Sequence, residues 1–330
     1  MARPVTVGIL GRRREAEVPA LEAALRARGA QVMVVDFHGF PRHNLATLGP
    51  SPRFDDVLRP GVLALERCDL WVLRTLCSDL PAPGACRSPA DLGGYCRAEI
   101  ARLAFQRSLI EQLAARVPVI NPPRAFRFHR EKAFQHQMLV RHGLATPRAL
   151  ATSDLARARA FVAELGGRAV VKPLGGGAEV VMADDAFFGG HGAGRGLRRP
   201  FLFQQLVAGR SLRAYTLGGR VVSAGEIHHD RRAIDWRERT RRVSACELPA
   251  ALCAELGRAV RVLGLAYCGV DLEWDERTER HYLLDLNPAA LFVGWSRLAG
   301  VDLAGCLASF LLDVVERGGD PFTVAGPRSW

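Results

Sequence analysis

Lysine is almost missing from this chain, although the chain is strongly basic. Lysine and arginine together number 45 in 330 residues and the net charge is +11, yet the only lysines are Lys132 and Lys172. An ammonium group is a compact point charge on a flexible stem, which suits phosphate oxygens where a rigid guanidinium fork would not. The scarcity therefore marks both lysines as candidate phosphate-binding residues; the alternative is that both are solvated surface residues.

Other absences each exclude a class of protein. None of the eight cysteines forms a C-x-x-C pair, so we predict reduced thiols and neither a zinc site nor a disulfide framework. Aromatic residues make up only 7%, and the arginines are scattered, so nucleic acid is not an expected partner despite the charge. No run of about 18 apolar residues occurs, and Met1–Leu10 enters a strand pattern without a signal-like region, which predicts a cytoplasmic protein with no membrane partner.

The chain also lacks the common nucleotide-binding motifs. Its first strand-to-helix turn has no G-x-G-x-x-G, and neither the P-loop G-x-x-x-x-G-K-[ST] nor the kinase H-R-D pattern is present. Apolar runs at Val5–Leu10 and Gln31–Phe37, with a helical pattern between them, predict a β-α-β unit. A dinucleotide site is thus poorly supported, although the first lobe should be a doubly wound α/β domain.

The pattern predicts an α/β lobe followed by α+β structure. Residues 1–123 form the α/β lobe, 124–207 a central α+β domain and 208–330 a C-terminal α+β domain. In the C-terminal part, Gly218-Gly219 predicts a two-residue hairpin turn. Leu80–Gly94 is predicted to be a surface loop and Gly189–Arg199 a mobile flap.

One lysine stands in a run that joins a strand to a glycine loop. Val170–Gly177 reads VVKPLGGG, so Lys172 ends an apolar strand just before Gly175, Gly176 and Gly177. Glycines let backbone N–H groups approach an anion closely. The same run is also compatible with an ordinary hairpin turn.

Acidic and amide side chains recur on two predicted strands near the C-terminal end. On Cys268–Trp274, alternation turns Asp271 away from its apolar neighbours, and on His281–Leu286 it places Asp285 and Asn287 opposite Leu284 and Leu286. If the strands form a hairpin, three oxygen-bearing side chains converge, as Mg²⁺ requires. A solvated hairpin face is the alternative.

The order of these parts resembles the ATP-grasp ligases, on the branch of the RimK-like and glutathione-synthetase-like enzymes, from about Val117 to Leu312. The resemblance implies that Lys132 (in REKAFQ) and Lys172 (in VVKP) bind the phosphates of ATP, with Gly175–Gly177 beside them. It further implies an adenine-binding hinge at Gln204, Gln205 and Val207, and a residue facing the ribose at Ser211. It implies that Arg213 faces the phosphates and the substrate carboxyl. The implied ligands for two Mg²⁺ ions, for which Mn²⁺ could substitute, are Asp271, Asp285 and Asn287. Ser211 stands where the family commonly has an acid, and Asp285 where it more often has Glu.

A narrower resemblance is to the microviridin-type peptide maturases, or graspetide ligases, which crosslink ribosomal precursor peptides. It rests on Asp235-Trp236-Arg237, on TSDLARARAFVAELGGRAVVKPL and on the ending NPAALFVGWSRLAGVDL. The corresponding ending in that subfamily usually reads N-P-x-G-Q-W, so Ala290 and Leu291 replace its Gly and Gln.

The resemblance implies an ADP-forming ligase that converts a carboxylate into an acylphosphate and joins it to an amine or hydroxyl. Arg213 and Arg237 would be its catalytic residues, with Arg237 holding the acceptor carboxylate or the tetrahedral intermediate. The substrate would be a carboxylate-bearing molecule such as a precursor peptide, and a homodimer would be a common assembly. Two alternatives remain open: a RimK-type amino-acid ligase, and a nucleotide-binding protein without ligase activity.

Overall fold

The computed structural model describes residues 3–37, 44–49, 52–56, 59–75, 88–175, 180–229 and 240–323. It divides into two compact units, Met1–Pro123 with Asp302–Trp330, and Arg124–Val301. The strands are β1 (Thr6–Leu10), β2 (Gln31–Val35), β3 (Asn44–Thr47), β4 (Arg53–Asp56), β5 (Arg59–Ala64), β6 (Leu70–Leu73), β7 (Val119–Ile120), β8 (Ala149–Asp154), β9 (Ala169–Pro173), β10 (Val181–Met182), β11 (Gly192–Ala193), β12 (Gly196–Gln205), β13 (Arg210–Leu217), β14 (Arg220–His229), β15 (Thr240–Ala245), β16 (Tyr267–Asp275) and β17 (Arg280–Asn287). The α-helices are α1 (Glu17–Arg26), α2 (Pro89–Ala114), α3 (Pro123–Phe126), α4 (Lys132–Arg141), α5 (Leu155–Glu164), α6 (Asp185–His191), α7 (Ala250–Leu263), α8 (Val293–Ala299) and α9 (Leu303–Glu316).

The first unit contains a parallel sheet in the order β2-β1-β6-β7. Its central strands are apolar on both faces, as buried parallel strands require, and Val7, Ile9 and Trp71 are fully buried. A side chain at Gly8 would collide with the Trp71 ring, because an added Cβ would lie 2.3 Å from it. The predicted β-α-β opening is confirmed, whereas the antiparallel sheet β3-β4-β5 had no counterpart in the sequence-based prediction.

The second unit begins with a small antiparallel sheet. Strand β12 pairs with both β8 and β9, and β9 in turn pairs with β10. Helices α5 and α6 contribute to the apolar core of this sheet, in which Phe187 packs edge-on against Phe201 and Phe203. This sheet carries Lys172 at one end of β9 and the predicted hinge at the end of β12.

A larger antiparallel sheet follows in the order β15-β14-β13-β16-β17. Its apolar face packs against α7, whose Leu256, Ala259 and Val260 are fully buried. Gly218 and Gly219 have φ of 58° and 85°, so the predicted two-residue turn between β13 and β14 is confirmed. With its apolar side turned to α7, the sheet leaves its other side for polar residues.

Two segments differ from the sequence-based prediction. Residues Gly189–Arg199, predicted to be a low-complexity flap, instead complete α6, form β11 and begin β12. Asp184 caps α6 by accepting a hydrogen bond from the Phe187 N–H at 2.9 Å, and the Phe187 and Phe188 rings anchor the helix in the core. Of the Leu80–Gly94 loop, residues 80–87 lie outside the described residues, and α2 already begins at Pro89 with Ser88 as its N-cap.

Helix α9 belongs with the first unit, whereas the sequence analysis grouped it with the C-terminal domain. The three-domain division of the chain otherwise stays a prediction. The cysteines that the structure describes are free thiols. Among the described residues no single helix is long and apolar enough to cross a membrane; α8 and α9 reach that length and apolarity only if they are added together.

Candidate functional site

The polar side of the large sheet carries its charged residues in rows across three strands. Arg213 on β13 is the register partner of Asp271 on β16, and Asp271 is in turn the register partner of Asp285 on β17. We call Asp271 and Asp285 the acidic row. Residues directly opposite each other in antiparallel strands hold their Cβ atoms within about 5.5 Å. The convergence of Asp271 and Asp285, predicted from the alternation of the strands, is thus present.

A β-bulge shifts the register in which β17 pairs with β16. Leu272 pairs with Leu283, not Leu284, because the register shifts beside the pair Asp271–Asp285. Leu283 and Leu286 are therefore the buried core residues, while Leu284 is only half-buried. The expectation that Leu284 and Leu286 share the apolar face is wrong at Leu284, since one extra residue in a strand reverses the alternation beyond it.

Each of the paired carboxylates is bound to a cation. The Lys132 Nζ lies 2.5 Å from Asp285 Oδ1, and the Arg213 Nη1 lies 2.8 Å from Asp271 Oδ1. Lys132 is the first residue of α4, and this helix is held to β17 by Gln135, whose amide bonds the Leu286 N–H and carbonyl. The hydrogen bonds of Gln135 to β17 therefore hold α4 in the position where Lys132 contacts Asp285.

The environment separates the pKa values of the two aspartates. Burial raises the pKa of Asp271, and the neighbouring Asp285 charge adds to this against the opposing effect of Arg213. For Asp285, burial also opposes ionisation, but the Lys132 ammonium outweighs it and the pKa is held below its ordinary value. Adjacent carboxyls with pKa values shifted in opposite directions are common in functional sites, because each charge disfavours the other.

Lys172 extends the same charged face from the other sheet. The charge of its ammonium group lowers the pKa of Asp271, Asp285 and Glu273. Gly175 follows within three residues, whereas Gly176 and Gly177 lie outside the described residues. Both lysines thus act on the charge of Asp285, Lys132 by direct contact and Lys172 through its field, although they are 40 positions apart in the chain.

Asn287 lies two residues after Asp285 on β17, opposite Gly269 of β16, and is held in place by its neighbours. Its Oδ1 accepts a hydrogen bond from the Ala289 N–H at 2.9 Å and lies 3.1 Å from His129 Nδ1. Burial lowers the pKa of His129, and the positive Lys132 lowers it further. No group of three His, Cys, Asp or Glu residues within the described parts of the chain could hold a metal. The donors Asp271, Asp285 and Asn287 are hard oxygens that fit Mg²⁺ completed by water and phosphate, and do not fit zinc.

The predicted hinge lies where β12 ends. Gln204 is buried. Gln205 is bonded to the backbone of Arg148, just before β8: its N–H donates to the Arg148 carbonyl at 2.8 Å, and its Oε1 accepts from the Arg148 N–H at 3.3 Å. Among the residues that the structure describes, none accepts a hydrogen bond from the Val207 N–H. This donor is therefore compatible with an adenine ring, and its role as a hinge contact stays a prediction.

Sequence reasoning missed one acidic residue on the polar face. Glu273 lies two residues after Asp271, directly across from Ser211, whose hydroxyl donates to Glu273 Oε2 at 3.0 Å. Only 8% of Glu273 is exposed, and burial raises its pKa to about 7. The signal was present in the alternation that marked Asp271, since residues two apart in a strand share a face.

The rest of the arginine-centred network is buried. Arg213 Nε donates to the Tyr215 hydroxyl at 3.1 Å, and that hydroxyl donates to the Leu291 carbonyl. Tyr267 similarly donates to the Ala290 carbonyl at 2.7 Å. The segment with Ala290 and Leu291 is thus fixed by two tyrosines. Arg237 lies outside the described residues, so its proposed catalytic role stays a prediction.

Comparisons with known proteins agree with this geometry. No family model matches the chain. A probable alpha-L-glutamate ligase of Parasynechococcus marenigrum is 29% identical over 202 residues, which cover 58% of this chain and only 42% of that relative. The ATP-grasp ligase PsnB, solved in complex with a minimal precursor, Mg and ADP, is 27% identical with a TM-score of 0.76, over 96% of this chain and 99% of PsnB. The macrocyclase MdnC of Microcystis aeruginosa, bound with its precursor peptide MdnA, has a TM-score of 0.74 over 93% of this chain and 99% of MdnC, but at 19% identity it shows the fold alone.

The fold is that of the ATP-grasp ligases, and the face of alternating acids and cations is compatible with that class of protein. Within that class, the chain is similar in sequence to probable alpha-L-glutamate ligases, and in sequence and structure to PsnB, an ATP-grasp ligase solved with a minimal precursor.

Proposed function

We propose that this protein is an ATP-dependent, ADP-forming ligase that activates a carboxylate as an acylphosphate and joins it to an amine or hydroxyl. The observation that carries the proposal is the polar face on which Asp271 pairs with Arg213 and Asp285 pairs with Lys132, while the charge of Lys172 lowers the pKa of both acids. Interleaved cations and carboxylates of this kind can bind a triphosphate together with its divalent metal.

The charges of the face change partners when the nucleotide binds. In the structure, Lys132 and Arg213 neutralise Asp285 and Asp271. With Asp271, Asp285 and Asn287 holding Mg²⁺, the ammonium and guanidinium groups become available to phosphate oxygens. Bound Mg²⁺ would neutralise charge on the phosphates during transfer. Two ions fit this donor set, and Mn²⁺ has similar ligand preferences.

The reaction then requires little acid–base chemistry from the protein. A substrate carboxylate oxygen attacks the γ-phosphorus and ADP leaves; the amine or hydroxyl next attacks the acyl carbon and inorganic phosphate leaves. Lys132, Lys172 and Arg213 hold the transferred group in line and stabilise its charge. Arg237 is the candidate for holding the acceptor carboxylate.

A ribosomal precursor peptide is the substrate class that we favour. PsnB, which was solved with a minimal precursor and with the precursor peptide PsnA2, matches nearly the whole length of this chain, at 27% identity in the first of these structures. The product would be an ester or amide crosslink between side chains of the peptide. A homodimer stays a prediction.

The test is ADP release from Mg²⁺-ATP in the presence of short acidic peptides encoded beside the gene, with mass spectrometry of the peptide. We expect the peptide to lose the mass of one water per crosslink, and Lys172→Ala and Asp285→Ala to abolish the loss. As a matched control, Arg280→Ala removes a cation from the exposed end of the same hairpin and should leave the rate unchanged. Thermal protection by ATP without modification of any acceptor would instead support a nucleotide-binding protein without ligase activity.

Amino-acid ligation is the second candidate. It is favoured by the probable alpha-L-glutamate ligase to which 58% of the chain can be aligned. Adding free glutamate to the same assay separates the two activities, because addition of glutamate raises the mass of the acceptor whereas crosslinking lowers it.

A further inference from the structure

The pair Ser211–Glu273 lies between two parts of the nucleotide site. Along β13, Ser211 comes first and Arg213 two residues later, and across the sheet they pair with Glu273 and Asp271. Successive residues on one face of a strand are separated by about 7 Å. Glu273 is therefore displaced from the acidic row by about that distance, in the direction of the start of β13.

The start of β13 is also where the hinge arrives. Only residues 206–209 separate the end of β12 from β13, and Gly209 passes so close to β16 that an added Cβ would lie 1.8 Å from the Trp274 carbonyl oxygen. Glu273 directly precedes Trp274. The order from hinge to Glu273 to Asp271 thus matches the order of base, sugar and phosphates in a nucleotide.

The chemistry of Glu273 suits a sugar better than a metal. One carboxylate oxygen is held by the Ser211 hydroxyl, and no described residue donates a hydrogen bond to the other oxygen, Oε1. Within the described residues, Glu273 does not join Asp271 and Asp285 in any three-residue group that could hold a metal. A carboxylate can accept hydrogen bonds from both hydroxyls of a vicinal diol, and such charge-assisted bonds are stronger than neutral ones.

We propose that Glu273, oriented by Ser211, binds the ribose hydroxyls of ATP and makes the protein selective for ribonucleotides. The proposal rests on the proposed function, because it takes the nucleotide to lie with its phosphates at Asp271 and Asp285. Glu273 is a specificity-determining residue in this account and takes no part in phosphoryl transfer.

The test compares the binding of ATP, 2′-deoxy-ATP and 3′-deoxy-ATP to the full chain with Mg²⁺, by calorimetry and without an acceptor. We expect the wild type to bind ATP roughly 10- to 100-fold more tightly than at least one of the deoxynucleotides, as loss of a hydrogen bond to a charged group implies. In Glu273→Leu this ratio should fall below about 3-fold, chiefly through weaker binding of ATP. In Ser211→Ala, which keeps the carboxylate but removes its orienting bond, the ratio should be intermediate.

Two further variants make the result specific. Glu276→Gln changes an exposed acid of the neighbouring turn and should retain the wild-type ratio. The exchange Ser211→Asp with Glu273→Ser moves the acid to the opposite strand of the same pair and should restore part of the selectivity.

The outcomes also separate this proposal from the proposed function. If ATP binds but the wild type does not distinguish the deoxynucleotides, or if Glu273→Leu retains the wild-type ratio, the role of Glu273 is refuted while the nucleotide site stands. The role of Glu273 in binding ribose would likewise be refuted if ATP binding to Glu273→Leu depended less on Mg²⁺ while the ratio of ATP to deoxynucleotide affinity stayed at the wild-type value. If no nucleotide binds to the wild type, the proposed function itself fails.

Discussion

Replacing Glu273 by glutamine should make the stability of the protein less dependent on pH. Burial raises the pKa of Glu273 from its ordinary value of 4.5 to about 7 in the folded chain. Between these two pH values the folded state holds a proton that the unfolded state has lost, so the free energy of unfolding falls as the pH rises through this window. Glutamine has the same shape but carries no charge to desolvate.

The size of the effect follows from the same two pKa values. A shift of one pKa unit corresponds to about 1.4 kcal/mol. Between pH 4 and pH 8, the free energy of unfolding of Glu273→Gln should therefore rise relative to that of the wild type by at most about 3 kcal/mol. Because Glu273 is only 8% exposed, solvent should screen little of this difference. The gain should be close to zero at the acidic end, where both chains carry a neutral side chain.

Urea unfolding of the nucleotide-free protein at a series of pH values measures this difference. Glu279→Gln is the matched control, because Glu279 is an exposed acid in the turn between the same two strands and its replacement should leave the pH profile unchanged. A difference between wild type and Glu273→Gln that is constant with pH, or that shrinks as the pH rises, would refute the reasoning.

Two other predictions concern the stability of the site and of its linker. Lys132→Met should lower the free energy of unfolding in urea by about 2 kcal/mol, because it leaves the Asp285 carboxylate without its partner. The cost should be smaller than for a fully buried pair, since the Asp285 side chain is 30% exposed. Adding Asp285→Asn should recover at least half of the lost stability without restoring ATP binding. A double variant no more stable than the single one would contradict this. Gly209→Ala should cost more than about 2 kcal/mol and weaken ATP binding, since its Cβ would overlap the Trp274 carbonyl, whereas Gly190→Ala in α6 meets nothing within 4 Å and should gain about 0.5–1 kcal/mol. Equal thermal shifts in both glycine variants would show that the close approach at Gly209 does not constrain the linker.

Part of the candidate site could be predicted because its signals are local. The alternation along β16 and β17 brings Asp271 and Asp285 to one face, and the structure places them as register partners. The scarcity of lysine marked Lys132 and Lys172; Lys132 contacts Asp285, and the charge of Lys172 lowers the pKa of the same acid. In each case a residue type with a specific chemical use occurred in a simple periodic context.

Other features depended on contacts between distant segments. The bulge beside Asp271 exchanges Leu284 for Leu283 in the core, and a register shift cannot be read from alternation in one strand. The Gly189–Arg199 segment looked like a low-complexity loop, but the Phe187 and Phe188 rings just before it pack against Phe203 of β12, in a core shared with α5 and β9. Low local propensity was overridden there by burial of aromatic surface.

The sequence alone thus determined the class of fold and the chemical types of the site residues, because strand periodicity, glycine turns and rare residue types are properties of short segments. Only the tertiary structure decided which charges meet. The pairing of Lys132 with Asp285 joins residues that are 153 positions apart, and the pairing of Ser211 with Glu273 joins residues 62 positions apart. Burial and opposing charge set the pKa values of these carboxyls, and both arise only when separate sheets and helices pack together.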